Sequence, residues 1–539
     1  MSPRTVIPRF LVALTLAPAL TSASGLPPVP FPLENPLTEE KRVLGKILFW
    51  DEQLSSDNTV ACGTCHRPGA GGADPRGLAN PGRDAILGTE DDTVGSPGIR
   101  RLDVRGRPIA PGQPAQVGTR STPSNFGSLW AESLFWDGRA GSEFRDPDTG
   151  RVMIASGGAL ENQALGPLLN PVEMSREDRT SADVAHKLLD STPLALASDL
   201  PPDMYAAIQR APGYPALFAA AFGDPAITAA RIAFALATYQ RTLVADQTPW
   251  DVASAEKPAE TPTWLRGQIW FEHHNCHVCH VPPLFTNNQF ANVGVQHAFM
   301  DPGRALQTGK EEDAGDMKVP SLRNVSLRAT FMHTGTFRNL DEVLDVYAAP
   351  KAPADPMPTT GERYVMPMPA KARAAIKEFL TVGLTDPRVA AETFPFDRPR
   401  LRSERHPEDS QAPARVKNID ADRTGDDVHL RWQAPADDTG VVDYILERNG
   451  RVIALPTAER FVDGGRPWWG LYRYRLIARD SAANESPAVA IIVWPTTALL
   501  SPVAAVAAAA SCLLWLRRRK RRAKGAPAGA ADRLPELSD

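Results

Sequence analysis

Residues 62–66 read Cys-Gly-Thr-Cys-His and residues 276–280 read Cys-His-Val-Cys-His. These two pentads use four of the chain's five cysteines. In each, two thiols three positions apart are followed directly by an imidazole. That spacing lets both thiols add to the vinyl groups of one haem while the adjacent histidine reaches the iron as proximal ligand. A single such pattern would also suit a redox disulfide or half a zinc site. Two of them, each closed by histidine, point instead to two covalently bound haem c groups, one held by Cys62, Cys65 and His66 and the other by Cys276, Cys279 and His280. Both histidines are then axial ligands of haem iron. Cys512 lies in an apolar run and reads as an inert small residue.

The 539-residue chain is long enough for several domains, and its 42% apolar content is ordinary for globular cores. With 59 basic and 63 acidic residues the formal charge is −4, so nothing favours nucleic acid as a partner. Arg4 and Arg9, the apolar stretch 10–20 and the small residues that follow form a secretory signal over 1–24. Near the other end, 496–516 is uncharged and runs into Arg517-Arg518-Arg519-Lys520-Arg521-Arg522. That is a stop-transfer pattern, which predicts one transmembrane helix, a basic cytoplasmic tail over 517–539 and a periplasmic or extracytoplasmic body anchored to the inner membrane.

From Leu37 to about Val389 the pattern is mainly helical with long Gly/Pro loops. Asp224-Pro225 reads as a helix start, with Ile232, Leu236, Tyr239 and Leu243 on one buried face. After a linker over 396–413 the period changes to two. Val428, Leu430 and Trp432 alternate with polar residues, as do Tyr472, Tyr474, Leu476 and Ala478, and Asn449-Gly450 marks a type I′ hairpin. Residues 414–495 resemble a fibronectin type III sandwich, read as a spacer from the membrane. The fold class expected is thus mainly α, with two cytochrome c-type haem domains over 33–250 and 251–395, then an all-β immunoglobulin-like sandwich and a transmembrane helix.

Around the pentads stand "LGKILFWDEQLSS" (44–56), "FWDGR" (135–139), "QALGPLLNPVEM" (163–174) and "VPSLRNVSLRATFMHTGTFRNLDEV" (319–343). Together they resemble the bacterial di-haem cytochrome c peroxidase and MauG family over residues 38–385. The resemblance implies a peroxide-reacting haem on His66, in the first domain, and an electron-transfer haem on His280, in the second. No histidine lies between His66 and His186, so the residue that blocks the first iron in gated members is missing and that site is expected open. Opposite His280 the resemblance places Tyr347, as in MauG; Met357, Met366 and Met368 are the alternatives.

By the same match Glu173 is the acid–base carboxylate, Gln163 orients the peroxide and Trp136 relays charge between the haems. On residue type alone, Glu173 is a solvated charge and Trp136 a packed core residue. The resemblance also implies one calcium ion between the haems. Here Ser121 replaces the asparagine ligand, and Arg328 and Thr330 take the carbonyl-donating positions. Residues 140–160 look like an insertion beside the distal pocket, and His273, His274 and His277 read as loop or surface residues.

The activity implied is reduction of hydrogen peroxide to water, with electrons from a small cytochrome c or cupredoxin passing through the second haem. A MauG-like oxidase acting on a protein or other large substrate is the alternative, and a membrane-tethered electron carrier without peroxide chemistry is a third.

Overall fold

The computed structural model describes residues 25–103, 105–106, 116–256, 262–348, 367–406 and 408–495. Two helical cores are built on one plan. In the first, helix Glu39–Trp50 begins where the Thr38 hydroxyl accepts from the Lys41 amide, with Glu39 and Glu40 facing the positive end of the helix dipole. It crosses helix Ala229–Gln240 at Gly45, where a methyl group would come within 1.9 Å of the Ala235 carbonyl oxygen. In the second, helix Leu265–His273 crosses Ala370–Glu378 at Gly267, where a methyl would lie 2.0 Å from the Ala375 oxygen. In both halves the first helix of the crossing runs toward an attachment motif, so the close approach fixes where that motif begins.

The predicted helix start at Asp224-Pro225 is corrected. The helix begins at Ala229 with Thr228 as its cap, and the Asp224 carboxylate instead takes both arms of the Arg231 guanidinium at 2.6 Å. The apolar face is as read: Ile232, Leu236, Tyr239 and Leu243 are all buried. The insertion after Trp136 forms a small hairpin, Phe144–Arg145 with Val152–Ile154, whose Phe144 and Ile154 pack on Phe234. The hairpin braces the helix and does not line the main cavity, whereas Leu160 at the end of the insertion does. Phe396 and Leu401, at the start of the expected linker, are fully buried in the first core.

Residues 417–493 form seven antiparallel strands in two sheets. Arg460–Asp463, Asp427–Gln433 and Lys417–Thr424 make one. Arg451–Ala454, Val441–Arg448, Tyr472–Asp480 and Val489–Val493 make the other. The alternation read from sequence holds, since Val428, Leu430, Trp432, Tyr474, Leu476 and Ala478 are buried between the sheets. Asn449 and Gly450, both at positive φ, turn the predicted hairpin.

The fold class expected from sequence is corrected at its end. Among the described residues no helix is long and apolar enough to cross a membrane. Segment 496–516, on which the transmembrane reading rested, lies outside the described residues, as do the signal 1–24 and the tail 517–539. The sandwich is docked on the first helical core. Buried Asn58 donates to Asp443 at 2.9 Å and accepts from Lys187 at 2.6 Å. Asp443, fully buried, takes both arms of Arg479 at 2.9 and 2.5 Å and lies 3.6 Å from Arg402.

Burial pushes the Asp443 carboxyl up, and the charges of Arg479 and Arg402 more than reverse this, leaving it below the usual carboxylate range. Its stabilisation is therefore full above the unfolded pKa of about 4 and fades as pH falls through the lower folded value. Asp443→Ala strands two buried guanidinium groups and is expected to cost about 3–5 kcal/mol in urea unfolding. The same variant should become protease-sensitive within 396–413, and unchanged unfolding and digestion would refute the docking role.

Candidate active site

The first attachment motif lines a cavity of about 1010 Å³. Cys62 and Cys65 stand at the two ends of a four-residue helix, and Gly63 lets it sit against Trp50, where a methyl would come within 2.2 Å of the indole. His66 closes the helix, with its Nδ1–H directed at the Gly72 carbonyl at 3.0 Å. Burial draws its pKa down against that hydrogen bond, so the ring is neutral and its Nε2 lone pair is free for a metal.

The second motif repeats the device. His280 Nδ1 lies 3.2 Å from the Phe285 carbonyl and 3.1 Å from that of Pro320, and burial lowers its pKa to about 4. All four motif cysteines are free of disulfides. The first cavity is at the top of the usual ligand-pocket range of about 300–1,000 Å³. In the second half of the sequence, His333 Nε2, Asn292 Nδ2, Gln296 Oε1 and His297 Nδ1 are buried without partners, with Gln296 on the wall of the His66 cavity. Such atoms call for a polar group between them. Both sets of residues therefore fit a covalently held haem.

Glu173, Gln163 and Trp136 all line the cavity that His66 lines. Gln163 projects from helix Ala159–Leu169, and Glu173 follows a turn in which the Asn170 amide donates to its Oε1 at 2.9 Å. Burial raises the Glu173 pKa above the usual carboxylate range, with the Arg139 charge and the Asn170 hydrogen bond pulling partly back. Arg139 itself lies 3.5 Å over the Phe135 ring and 3.1 Å from Asp137. The motif "FWDGR" was read for its tryptophan, and the electrostatic part of its arginine was missed. The signal available was a cation three positions after Trp136 in a quoted motif.

Trp136 is held from both halves. Its indole N–H donates to the Ser121 carbonyl at 2.7 Å, its own carbonyl accepts from the Lys318 amide at 2.8 Å, and its ring meets His333 edge-on at 6.3 Å. Arg120 reinforces this junction by gripping Asp301 at 2.7 and 2.6 Å and Asp137 at 2.7 Å.

Tyr347 is the penultimate residue of helix Leu340–Ala348. Burial raises its phenol pKa, and charge on Cys276 and Cys279 would raise it further, which places it beside the second motif. Met368 packs on the second core, while Met357 and Met366 lie outside the described residues. The loop or surface reading of His274 is corrected. Only 5% exposed, it packs on Trp270 and turns its Nδ1 to the Trp270 carbonyl at 2.8 Å.

Comparison with known proteins identifies relatives of the chain. The family described as di-haem cytochrome c peroxidase matches residues 39–258. The methylamine utilization protein MauG of Methylophilus methylotrophus is 30% identical over 351 residues, 62% of this chain and 84% of that protein. MauG of Methylorubrum extorquens is 31% identical over 324 residues, covering 59% and 71%. The cytochrome c551 peroxidase of Nitrosomonas europaea is 26% identical over 344 residues, covering 62% and 82%. With two haem-binding motifs in place and these relatives matched over most of their length, the chain belongs to the di-haem cytochrome c peroxidase and MauG family, oxidoreductases that carry two haem c groups.

Proposed function

We propose that the chain reduces hydrogen peroxide to water in the periplasm, with electrons from a small cytochrome c or cupredoxin. One observation carries this reading: a single cavity is walled by His66, Glu173, Gln163 and Trp136 together. When bound, the two haems supply the iron chemistry that cleaves the O–O bond and the store from which two electrons join two protons and one peroxide to give two waters. The chain's own residues handle protons and orientation. Asn170 fixes Glu173 Oε1, so Oε2 takes a proton from one peroxide oxygen and returns it to the departing one. The raised pKa brings that carboxyl closer to the working pH. Gln163 orients the substrate through its amide. Trp136, fixed from both sides, relays charge between the halves.

The proposed division is a peroxidatic half over 33–250, an electron-transfer half over 251–395, a connection over 396–413 and a fibronectin type III-like module over 414–495. Its seven strands in sheets of three and four support that last assignment.

A second reading, oxidation of a protein or other large substrate, is favoured by Tyr347 beside the second motif. A phenolate ligand there would lower that haem's potential and suit higher oxidation states. Turnover that requires such a substrate and ignores a reduced small cytochrome would favour it.

Electron paramagnetic resonance of the ferric holoprotein should show one high-spin and one low-spin haem; two low-spin signals would remove the open site at His66. Glu173→Gln should lower kcat for peroxide by about 10²–10⁴ with haem content unchanged, and an undiminished kcat would exclude it as the acid–base group. Glu173 acts ionised, so activity falls as pH drops through its pKa. Arg139→Gln removes a charge that lowers this pKa and should move the acid limb of kcat/KM to higher pH. A limb that stays in place would separate the two residues.

A further inference from the structure

Between the two helical halves sits a positive charge with no negative partner. Arg328 follows the turn Val325–Leu327. Its Nε donates to the Thr330 carbonyl at 3.1 Å and its Nη2 to the Thr122 carbonyl at 3.0 Å. Both acceptors are neutral backbone groups, and no carboxylate pairs with Arg328 among the described residues. The surroundings lower its pKa to about 10 through burial alone, so it stays charged at neutral pH. An unpaired buried charge is ordinarily costly, so its retention calls for a structural reason.

The segments it joins supply one. Residues 121–122 belong to the first half and 328–330 to the second, and they also meet where the Ser121 and Thr330 hydroxyls lie 3.1 Å apart and where the Ser121 amide donates to the His333 carbonyl at 2.7 Å. The Ser121 carbonyl in turn receives the Trp136 indole. Holding the Thr122 peptide therefore holds the acceptor of the tryptophan between the halves.

A calcium ion implied by the family does not fit these residues. Calcium takes about six to eight oxygen ligands. Here the Thr330 carbonyl is already engaged by Arg328, Ser121 offers a hydroxyl bonded to Thr330 in place of an amide oxygen, and the guanidinium would repel a second cation.

We infer that Arg328 is a built-in cation that takes the place of a divalent ion between the two halves, drawing the Thr122 and Thr330 carbonyls together without metal. It is a positioning residue, acting on Trp136 through the 121–122 backbone. Its side chain also runs past Gly71, where a methyl would lie 3.3 Å from Arg328 Cγ, beside the Gly72 carbonyl that orients His66.

The test uses the holoprotein with both haems. Elemental analysis after dialysis against EGTA and then against calcium should find no stoichiometric calcium in either sample, and peroxide turnover should be the same in both. Arg328→Ala should lose turnover and regain it with millimolar guanidinium ion, and the reduction potential of the His66 haem should fall as a nearby positive charge is removed. Arg328→Lys, which keeps the charge, should leave that potential near the wild-type value. Stoichiometric calcium or chelator-sensitive turnover in the wild type would overturn the inference even if Arg328→Ala failed to fold. So would an Arg328→Ala protein with unaltered potential and no response to guanidinium.

Discussion

The hydrogen bond from the His66 ring to the Gly72 carbonyl constrains the first half of the molecule more than any other contact. An iron ligand must present an unprotonated nitrogen in a fixed direction, and donating Nδ1–H to a backbone oxygen sets tautomer and ring plane together. The carbonyl can stand there only because Gly71 and Gly72 both take positive φ, where a side chain at 72 would run within 2.4 Å of Asn125 Oδ1. That same carbonyl also accepts from the Asn125 amide at 3.2 Å. The loop carrying 121–126 is thus fixed to the proximal side, and through Ser121 so is Trp136. The second half reaches the same end with two carbonyls on His280, one of them from Pro320 in the stretch that leads on to Arg328.

Charge is buried in this chain at junctions, and the manner of its compensation differs with the junction. Asp443 is shared by Arg479, Arg402 and Asn58 where the sandwich meets the first core. Asp137 and Asp301 are shared by Arg120 where the halves meet around Trp136. Arg323 is bound to Asp251 at 2.7 Å within the second half. Each of these is a pair or network whose removal from water is offset by charge-assisted hydrogen bonds. Arg328 is answered only by carbonyl dipoles, which is the environment a bound cation has.

How much of this could be read from the residues depends on whether the signal was local. The haem pentads, the Asn449-Gly450 turn and the period-two strands are patterns within a few residues, and each stands as read. Glu173, Gln163 and Trp136 carry no local signature of function; their motif context singled them out, and the fold gathers them on one cavity wall. The docking of the sandwich was not legible, because Asn58 and Asp443 lie 385 positions apart and neither is unusual in its own neighbourhood. The helix start at Thr228 was missed because Asp224-Pro225 is a good cap by composition, and only the partner it found, Arg231, took it out of that role. Arg328 was legible only as a substitution at a carbonyl-donating position of the implied calcium site. That it bridges two carbonyls became visible only once chain segments over 200 residues apart were side by side.

Docking the sandwich has a consequence for how the halves divide their work. A cleft of about 240 Å³ separates it from the first core, walled by Val60, Arg76 and Gly98 on one side and Val452, Arg479 and Glu485 on the other. Arg76 also lies 3.4 Å from the Cys65 sulfur. The sandwich therefore lies against the flank of the first core that carries Arg76. At the second motif the balance is reversed: Val278 and Val281, flanking Cys279, are 48% and 41% exposed. Apolar side chains around a thioether-forming cysteine give a partner a surface to desolvate close to the second motif. The sandwich thus lies on the flank of the first half while the apolar surface beside the second motif stays open, and the twice-anchored Trp136 stands between the halves.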